Sequence, residues 1–243
     1  MKKWIIAAAL ATLTINAQAA EKIRFAASAT YPPFETLDRE NNLVGFDIDL
    51  AKALCQQMKA ECTFTNNAFD SLIPSLKFRR YDAVISGMDI TTERSKQVDF
   101  TQPYYANSAI VIARKGQFSS FAELKGKRIG VENGTTHQKY LQDKHPEVKV
   151  VAYDSYQNAI LDMKSGRLDG VFGDSAVVNQ WLKTNADLAT VGEHVTDADY
   201  FGTGLGIAVR KGNTALRDQF NQALNELKAN GSWQQLNQKW FPE

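Results

Sequence analysis

The fold follows from two stretches, LKFRRYDAVISG (76–87) and MKSGRLDGVFGD (163–174), which align without a gap. Each is typical of a helix end, a tight basic turn and a short apolar strand. A second pair of similar segments, RFAAS (24–28) and RIGVE (128–132), opens the two halves. The pattern predicts an α/β protein of two similar lobes, each a central sheet flanked by helices. The alternative is that the two stretches match only because strand-after-helix segments look alike in any α/β protein. In two such lobes the carboxyl ends of the strands would face each other across one cleft.

The first 19 residues are typical of a secretory signal. Lys2 and Lys3 precede an apolar stretch from Trp4 to Leu13, and small residues stand at Ala17 and Ala19. We expect cleavage after Ala19; the alternative is an uncleaved anchor. Without the two lysines the formal net charge changes from +1 to about −1, so no nucleic-acid partner is indicated.

Cys55 and Cys62 are the only two cysteines of the chain. An exported chain meets an oxidising compartment, so we expect a disulfide between them. The loop is short, and its closure would contribute about 2.5 kcal/mol to stability. A metal site is not expected, because this is not the spacing of a ligand pair and the three histidines are scattered along the sequence.

Two β-branched runs, Ser108–Arg114 and Thr203–Arg210, leave and re-enter the first half of the chain, and they are the candidate hinge strands. The expected domains are 20–108 plus 204–243 for lobe 1 and 109–203 for lobe 2. In lobe 2, Ser120 is expected to cap a helix. The apolar periodicity of 214–240 breaks at Asn230-Gly231, which predicts two helices there.

An ordered set of short motifs spans the mature chain: ATYPPFE (29–35), GFDIDL (45–50), DAVISGM (82–88), TTER (91–94), GTT (134–136) and GTG (202–204). The set resembles the polar-amino-acid periplasmic binding proteins of ABC importers, solute-binding protein family 3. SGMDIT (86–91) and NGTTHQ (133–138) are most similar to the arginine-binding proteins of that family.

The resemblance implies the type II periplasmic binding protein fold, with two lobes joined by two hinge strands. It also implies a periplasmic monomer that captures L-arginine and delivers it to an inner-membrane ABC permease with its ATPase subunits. No cofactor, metal or catalytic residue is expected.

A buried amino-acid zwitterion requires an anion site and a cation site, each of them paired. Arg94 is the candidate for the α-carboxylate, since a guanidinium binds bidentately and stays charged. The amides of Asn133–Thr136 and the Thr136 hydroxyl would add donors at the start of a helix that runs through His137. The alternative for Arg94 is a solvated ion pair with Asp89 or Glu93.

Asp174 is the candidate for the α-ammonium, because it ends the second repeated strand and faces Ser86 and Gly87 across the expected cleft. The aspartate at this position has that role in the related family. The alternative is a helix N-cap for the helix that starts at Ser175, and both roles could hold at once.

Tyr31 and Phe69 match family positions whose rings sandwich the ligand side chain, an arrangement suited to a guanidinium; ordinary core packing is the alternative. Ser28 stands where the lysine-arginine-ornithine binders carry an aspartate. Glu132, the pseudo-equivalent of Ser28, is the preferred guanidinium partner, and Asp89 is the second candidate. The motifs of the resemblance add Met88, Thr135 and His137 to the expected ligand site.

Other functions remain open at this level. Some cyclic-acid dehydratases resemble the family, and Glu132 or Asp174 could then serve as general acid or base. A sensory role would have to run through a partner. Glutamine is the best alternative ligand, since Ser28 removes one acid and a neutral amide also fits between two rings.

Overall fold

The computed structural model describes residues 20–242, and the expected signal of residues 1–19 lies outside them. The strands are β1 (Lys22–Ala27), β2 (Thr30–Tyr31), β3 (Glu35–Leu37), β4 (Leu43–Val44), β5 (Glu61–Asn66), β6 (Ala83–Val84), β7 (Val98–Phe100), β8 (Ala109–Arg114), β9 (Arg128–Glu132), β10 (Lys149–Tyr153), β11 (Gly170–Asp174), β12 (Leu188–Val195) and β13 (Ala208–Arg210). The helices are α1 (Phe46–Gln57), α2 (Phe69–Lys77), α3 (Thr92–Ser95), α4 (Thr136–Lys144), α5 (Tyr156–Lys164), α6 (Ser175–Thr184), α7 (Ala198–Phe201), α8 (Thr214–Ala229) and α9 (Ser232–Trp240).

Two five-stranded sheets form the two halves of the molecule. The first has the order β5-β1-β6-β13-β7, and the second has the order β10-β9-β11-β8-β12. In each sheet the first three strands are parallel and the fourth is antiparallel to the third. Helices flank both sheets, and a small sheet of β2, β3 and β4 lies at the edge of the first half. The predicted α/β architecture is confirmed.

The repeat seen in the sequence has the same geometry in both halves. The Arg24 backbone N–H and Nε donate to Asp82 Oδ2 at 3.0 and 2.9 Å. The Arg128 backbone N–H and Nε donate to Asp169 Oδ2 at 2.7 and 3.3 Å. Each pair fixes the start of one strand to the turn before its neighbour, so both strand ends reach the cleft at corresponding positions.

The chain crosses between the halves twice, and the two crossings lie side by side. Leu205 N–H donates to the carbonyl of Tyr105, and Tyr104 N–H donates to the carbonyl of Leu205, both at 2.9 Å. β8 of the second sheet takes six of the seven residues of the first predicted hinge run, and β13 of the first sheet takes three of the eight residues of the second run. The crossings therefore occupy 101–108 and 202–207. The lobe limits 20–108 plus 204–243 and 109–203 stay predictions.

The predicted disulfide is present between Cys55 and Cys62, and it joins the end of α1 to β5. The predicted break near Asn230-Gly231 is also confirmed: α8 ends at Ala229, and Gly231 has a φ of 83° before α9 begins. A positive φ of this size favours glycine over residues with a side chain.

The prediction for Ser120 is wrong in its detail. Ser120 precedes a single 3₁₀ turn, Phe121–Leu124, but its hydroxyl donates to the Glu123 carboxylate at 3.1 Å instead of accepting a backbone N–H. The Ser119 hydroxyl donates to the same carboxylate oxygen. A four-residue turn with its acid already engaged does not supply the cap geometry of a full helix.

Within residues 20–242, no helix is long and apolar enough to cross a membrane.

Candidate functional site

One cavity lies between the two sheets, at the carboxyl ends of β1, β9 and β11. Its walls come from both halves and are mostly polar or aromatic. They comprise Ser28, Thr30, Tyr31, Glu35, Phe69, Gly87, Asp89, Glu132, Thr135, His137, Tyr156 and Asp174. This is the edge at which open α/β sheets bind ligands. Nine of the thirteen predicted ligand residues line this cavity.

Asp174 lies in the cavity wall and accepts hydrogen bonds from Tyr31 and Asn107. Tyr31 Oη donates to Asp174 Oδ2 at 2.7 Å and accepts the Asp174 backbone N–H at 3.0 Å. Asn107 Nδ2 donates to Asp174 Oδ1 at 2.6 Å, and His137 Nε2 lies 3.0 Å from the same oxygen. Asp174 does occupy the N-cap position of α6, but its side chain makes no capping bond. The carboxylate is therefore directed to the cleft.

Asp89 faces Asp174 from the first half of the molecule. Asn107 Nδ2 bridges the two carboxylates, because it also donates to Asp89 Oδ1 at 2.6 Å. Thr136 Oγ1 donates to Asp89 Oδ2 at 2.6 Å from across the cleft. Burial, with a smaller contribution from the charge of Asp174, raises the pKa of Asp89 to about 7, against the opposing effect of Arg94.

Arg94 is 8% exposed, so the alternative of a solvated ion pair does not hold. Its Nη1 donates to the backbone carbonyl of Asp89 at 3.0 Å, and its Nη2 donates to the carbonyl of Gly134 at 3.3 Å. The guanidinium carbon lies 5.5 Å from the centroid of the Phe69 ring. Burial lowers the pKa of Arg94. The side chain thus spans both halves beside the cavity, where a carboxylate could pair with it.

The loop before α4 is arranged differently from the prediction in one respect. Thr135 is the N-cap of α4, and its hydroxyl accepts the Gln138 N–H at 3.3 Å. The Gly134 N–H donates to the side-chain oxygen of Gln138 at 2.9 Å. That amide is already paired, so it is not one of the free donors that the sequence indicated. The Thr136 hydroxyl reaches the site through Asp89.

Glu132 lies at the other end of the cavity, on the last residue of β9. It is 3% exposed, and Thr30 Oγ1 donates to its Oε1 at 2.9 Å. Burial raises the pKa of Glu132 to about 8; the hydrogen bond from Thr30 opposes this, and the charge of Asp70 adds to it. A buried acid with only a neutral hydroxyl as a described partner is suited to a cationic ligand group.

Both predicted aromatic residues line the cavity, and each already has a partner. The Tyr31 ring is stacked on Tyr156, with centroids 5.1 Å apart, and the Phe69 ring lies against Arg94. A ligand side chain between Tyr31 and Phe69 would therefore lie against two rings whose positions these partners already fix.

The remaining predicted residues occupy different depths. Ser28 and Gly87 form part of the wall, and a Cβ at Gly87 would lie 3.1 Å from the Tyr31 ring. The Ser86 hydroxyl lies beneath, where it accepts the Ser28 N–H at 2.9 Å. The Met88 side chain packs in an apolar cluster of the first half, away from the cavity.

Four residues of the site have no counterpart in the sequence prediction: Thr30, Glu35, Asn107 and Tyr156. Thr30 and Glu35 stand inside the quoted motif 29–35, which is the one signal that could have found them. Tyr156 begins α5, and its hydroxyl lies 3.2 Å from His137 Nδ1. Asn107 lies in the first crossing. Neither of these two belongs to a motif, and only the folded arrangement brings them to the cleft.

Known proteins resemble this chain over its whole length. Residues 23–243 match the family model described as bacterial extracellular solute-binding proteins, family 3. "ABC transporter arginine-binding protein 1" of Escherichia coli K12 is 69% identical over 243 residues, which is the full length of both chains.

Solved structures agree with this placement. One is a Salmonella typhimurium periplasmic binding protein whose structure is described as the structural basis for its high arginine specificity. It is 56% identical, with a TM-score of 0.88 over 91% of this chain and all of its own. An ancestral arginine-binding protein solved with bound glutamine is 40% identical, with a TM-score of 0.85 over 93% of this chain and all of its own. The chain belongs to family 3 of the bacterial extracellular solute-binding proteins.

Proposed function

We propose that this protein captures L-arginine in the cleft between its two lobes and delivers it in the periplasm to an inner-membrane ABC permease and its ATPase subunits. It acts as a monomer and as a binder without catalytic activity. The names of its relatives support arginine as the ligand. The polar lining of the cavity supports it independently.

One arrangement carries the proposal: Asp174 and Glu132 line a single buried cavity, and the buried Arg94 lies directly beside it, with its guanidinium against the Phe69 ring of the cavity wall. Arg94 pairs with the α-carboxylate and Asp174 with the α-ammonium, so that each charge of the zwitterion is compensated. Glu132 then pairs with the guanidinium. Arginine supplies one more cation than anion, and the additional acid at the far end matches it.

Closure of the lobes is stabilised by contacts from both halves. Besides the bridge from Tyr31 to Asp174, Thr30 reaches Glu132 and Thr136 reaches Asp89. A ligand favours closure only through differential contacts with the closed state. A zwitterion held by Arg94 of one lobe and Asp174 of the other has such contacts, and the closed form is the one that the permease would recognise.

Glutamine is the second candidate ligand. The ancestral relative solved with glutamine supports it, as does Ser28 in place of an acid. A neutral amide would leave the Glu132 carboxyl protonated and hydrogen-bonded. Arginine therefore requires the carboxylate form of Glu132, whereas glutamine requires the protonated form.

Glu132→Gln is expected to lower the affinity for arginine by roughly 10- to 1,000-fold, because the buried guanidinium loses its anionic partner. The same change is expected to raise the affinity for citrulline, whose ureido group is the neutral counterpart of the guanidinium. Isothermal titration of both ligands against both proteins measures the exchange.

The matched control is Glu147→Gln, which changes an acid on the surface of the same lobe. It should leave both affinities unchanged. Unchanged arginine affinity in Glu132→Gln would exclude Glu132 as the guanidinium partner, and Asp89 would then be the residue to test.

Arginine binding is expected to release a proton. At pH 7 the buried Glu132 carboxyl, whose pKa is about 8, is mostly protonated in the free protein, and the guanidinium favours its carboxylate form. The complex holds fewer protons, so affinity rises with pH up to about 8, by at most about tenfold per pH unit, and then levels off. Titration at pH 7 in two buffers of different ionisation enthalpy should give different heats; equal heats would contradict the linkage.

A further inference from the structure

Two acids lie together at the floor of the cleft, in the first lobe, and one of them, Glu35, also lines the cavity. Glu35 is the first residue of β3, and Asp47 lies in the first turn of α1. They are 1% and 0% exposed, and the two carboxyl groups are within hydrogen-bonding reach of each other. Neither of them pairs with a lysine or arginine side chain among the described residues.

One oxygen of each carboxyl group is used to hold the cleft floor. Glu35 Oε1 accepts the Ser86 hydroxyl at 2.8 Å. Asp47 Oδ2 accepts the Gly87 N–H at 2.7 Å and the Tyr104 hydroxyl at 2.8 Å. The two acids therefore bind consecutive residues after β6, and Asp47 also binds the first crossing between the lobes.

The other oxygen of each group has no donor. Glu35 Oε2 and Asp47 Oδ1 are both buried, and no N–H or O–H of the described residues reaches either one. Two ionised carboxylates cannot donate to each other, and their repulsion in a dry interior would be large. A single hydrogen held between the two carboxyl groups would give them the donor that the rest of the described residues do not supply.

We propose that Glu35 and Asp47 share one proton as a carboxylic acid–carboxylate pair, and that the pair positions the Ser86–Gly87 floor of the ligand site. Burial, then the charge of Asp47, raises the pKa of Glu35 well above its usual range, and burial raises that of Asp47 to about 7. The other titratable groups that face the pair are Tyr104 and, from the second lobe, Glu132.

The effect on the site runs through short contacts. Ser86 Oγ, held by Glu35, accepts the N–H of Ser28 at the end of β1. Gly87, held by Asp47, has a φ of 51° and lies directly against the Tyr31 ring. Ser28, Gly87 and Tyr31 are all walls of the cavity. Glu35 and Asp47 are thus positioning residues for the proposed binding of arginine, and the affinity readout below rests on that function.

Amide substitutions distinguish one shared hydrogen from two independent acids. Glu35→Gln or Asp47→Asn alone supplies an N–H in place of the proton, so each single variant should keep arginine affinity within about threefold. Glu35→Ala removes both the donor and the acceptor and should lose roughly 5- to 100-fold. The double variant Glu35→Gln/Asp47→Asn brings two NH₂ groups together, or turns one of them onto Ser86 or Gly87, and should lose at least as much as Glu35→Ala.

The proton itself is measured without any ligand. Infrared difference spectra in D₂O at pH 6, in a Glu132→Gln/Asp89→Asn background that removes the other two buried acids with raised pKa, should show a protonated carboxyl band that either single amide variant removes. The denaturant midpoint should fall further in the double variant than the two single shifts predict. A missing band, or a double variant as stable and as tight as the singles, would overturn the shared proton. If arginine does not bind, the spectrum and the midpoints still decide it.

Discussion

Asp174→Asn is expected to lower the affinity for L-arginine by roughly 100- to 3,000-fold, which corresponds to about 3 to 5 kcal/mol for breaking a buried ion pair. Asp174 is 1% exposed, and its two oxygens accept hydrogen bonds from Tyr31 and Asn107. The asparagine keeps the shape and one acceptor, but it places an uncharged group against the α-ammonium. Isothermal titration of the ligand-stripped protein measures the loss.

The matched control for this change is Asp154→Asn, an exposed acid of the same lobe. It should bind arginine as the unchanged protein does. The denaturant midpoint of Asp174→Asn shows whether the variant is folded. A folded Asp174→Asn that binds within threefold of the unchanged protein would contradict the assignment of the α-ammonium to Asp174.

Arg94→Met is expected to lower the affinity for arginine by a similar factor, roughly 100- to 3,000-fold, because the ligand carboxylate loses its buried guanidinium partner beside the cavity. Methionine keeps an unbranched apolar stem against Phe69, which limits the packing loss. Agmatine, which is arginine without its carboxylate, should bind the variant as well as it binds the unchanged protein, or better. Parallel titrations of the two ligands measure this difference.

An exposed arginine of the same lobe, Arg39, supplies the control as Arg39→Met. It should change neither affinity. If Arg94→Met weakened arginine and agmatine by equal factors, Arg94 would act by holding the loop at Gly134 in place, and the carboxylate site would lie elsewhere.

The fold could be predicted because the side chains of its repeat each act at one place, between a strand and the turn next to it. Arg24 with Asp82 and Arg128 with Asp169 fix equivalent strands to equivalent turns, and the same residue types recur at the same spacing. The break at Gly231 was equally local, since it needs only one residue with positive φ. The extent of the crossings was not local, because their pairing depends on how the two halves meet.

The residues of the candidate site also fall into those that the local sequence indicates and those that only the folded chain brings together. Residues at strand ends, such as Glu132 and Asp174, could be placed from the repeat, because parallel strands end at one edge of a sheet. Asn107 and Tyr156 could not, since their partners lie 67 residues and 19 residues away in sequence and no motif joins them. The depth of Ser86 and Met88 was also hidden, because the chain after β6 leaves the regular strand geometry.

The pairing of Glu35 with Asp47 shows a further limit of sequence reasoning. Both residues stand within the quoted motifs 29–35 and 45–50, but nothing in those motifs indicates that the two acids meet. Their roles follow from which oxygen of each one finds a donor and which does not. A buried polar atom without a donor is visible only once the chain is folded.

The central claim is that the cleft binds arginine through an acidic pocket. Isothermal titration of the ligand-stripped protein, residues 20–243, with L-arginine, L-lysine and L-glutamine tests it most directly. We expect tight binding of arginine, weak binding of lysine and no heat with glutamine, since only the guanidinium pairs with Glu132 and stacks on the aromatic walls. Glutamine binding more tightly than arginine would contradict the account, and so would the absence of heat with all three.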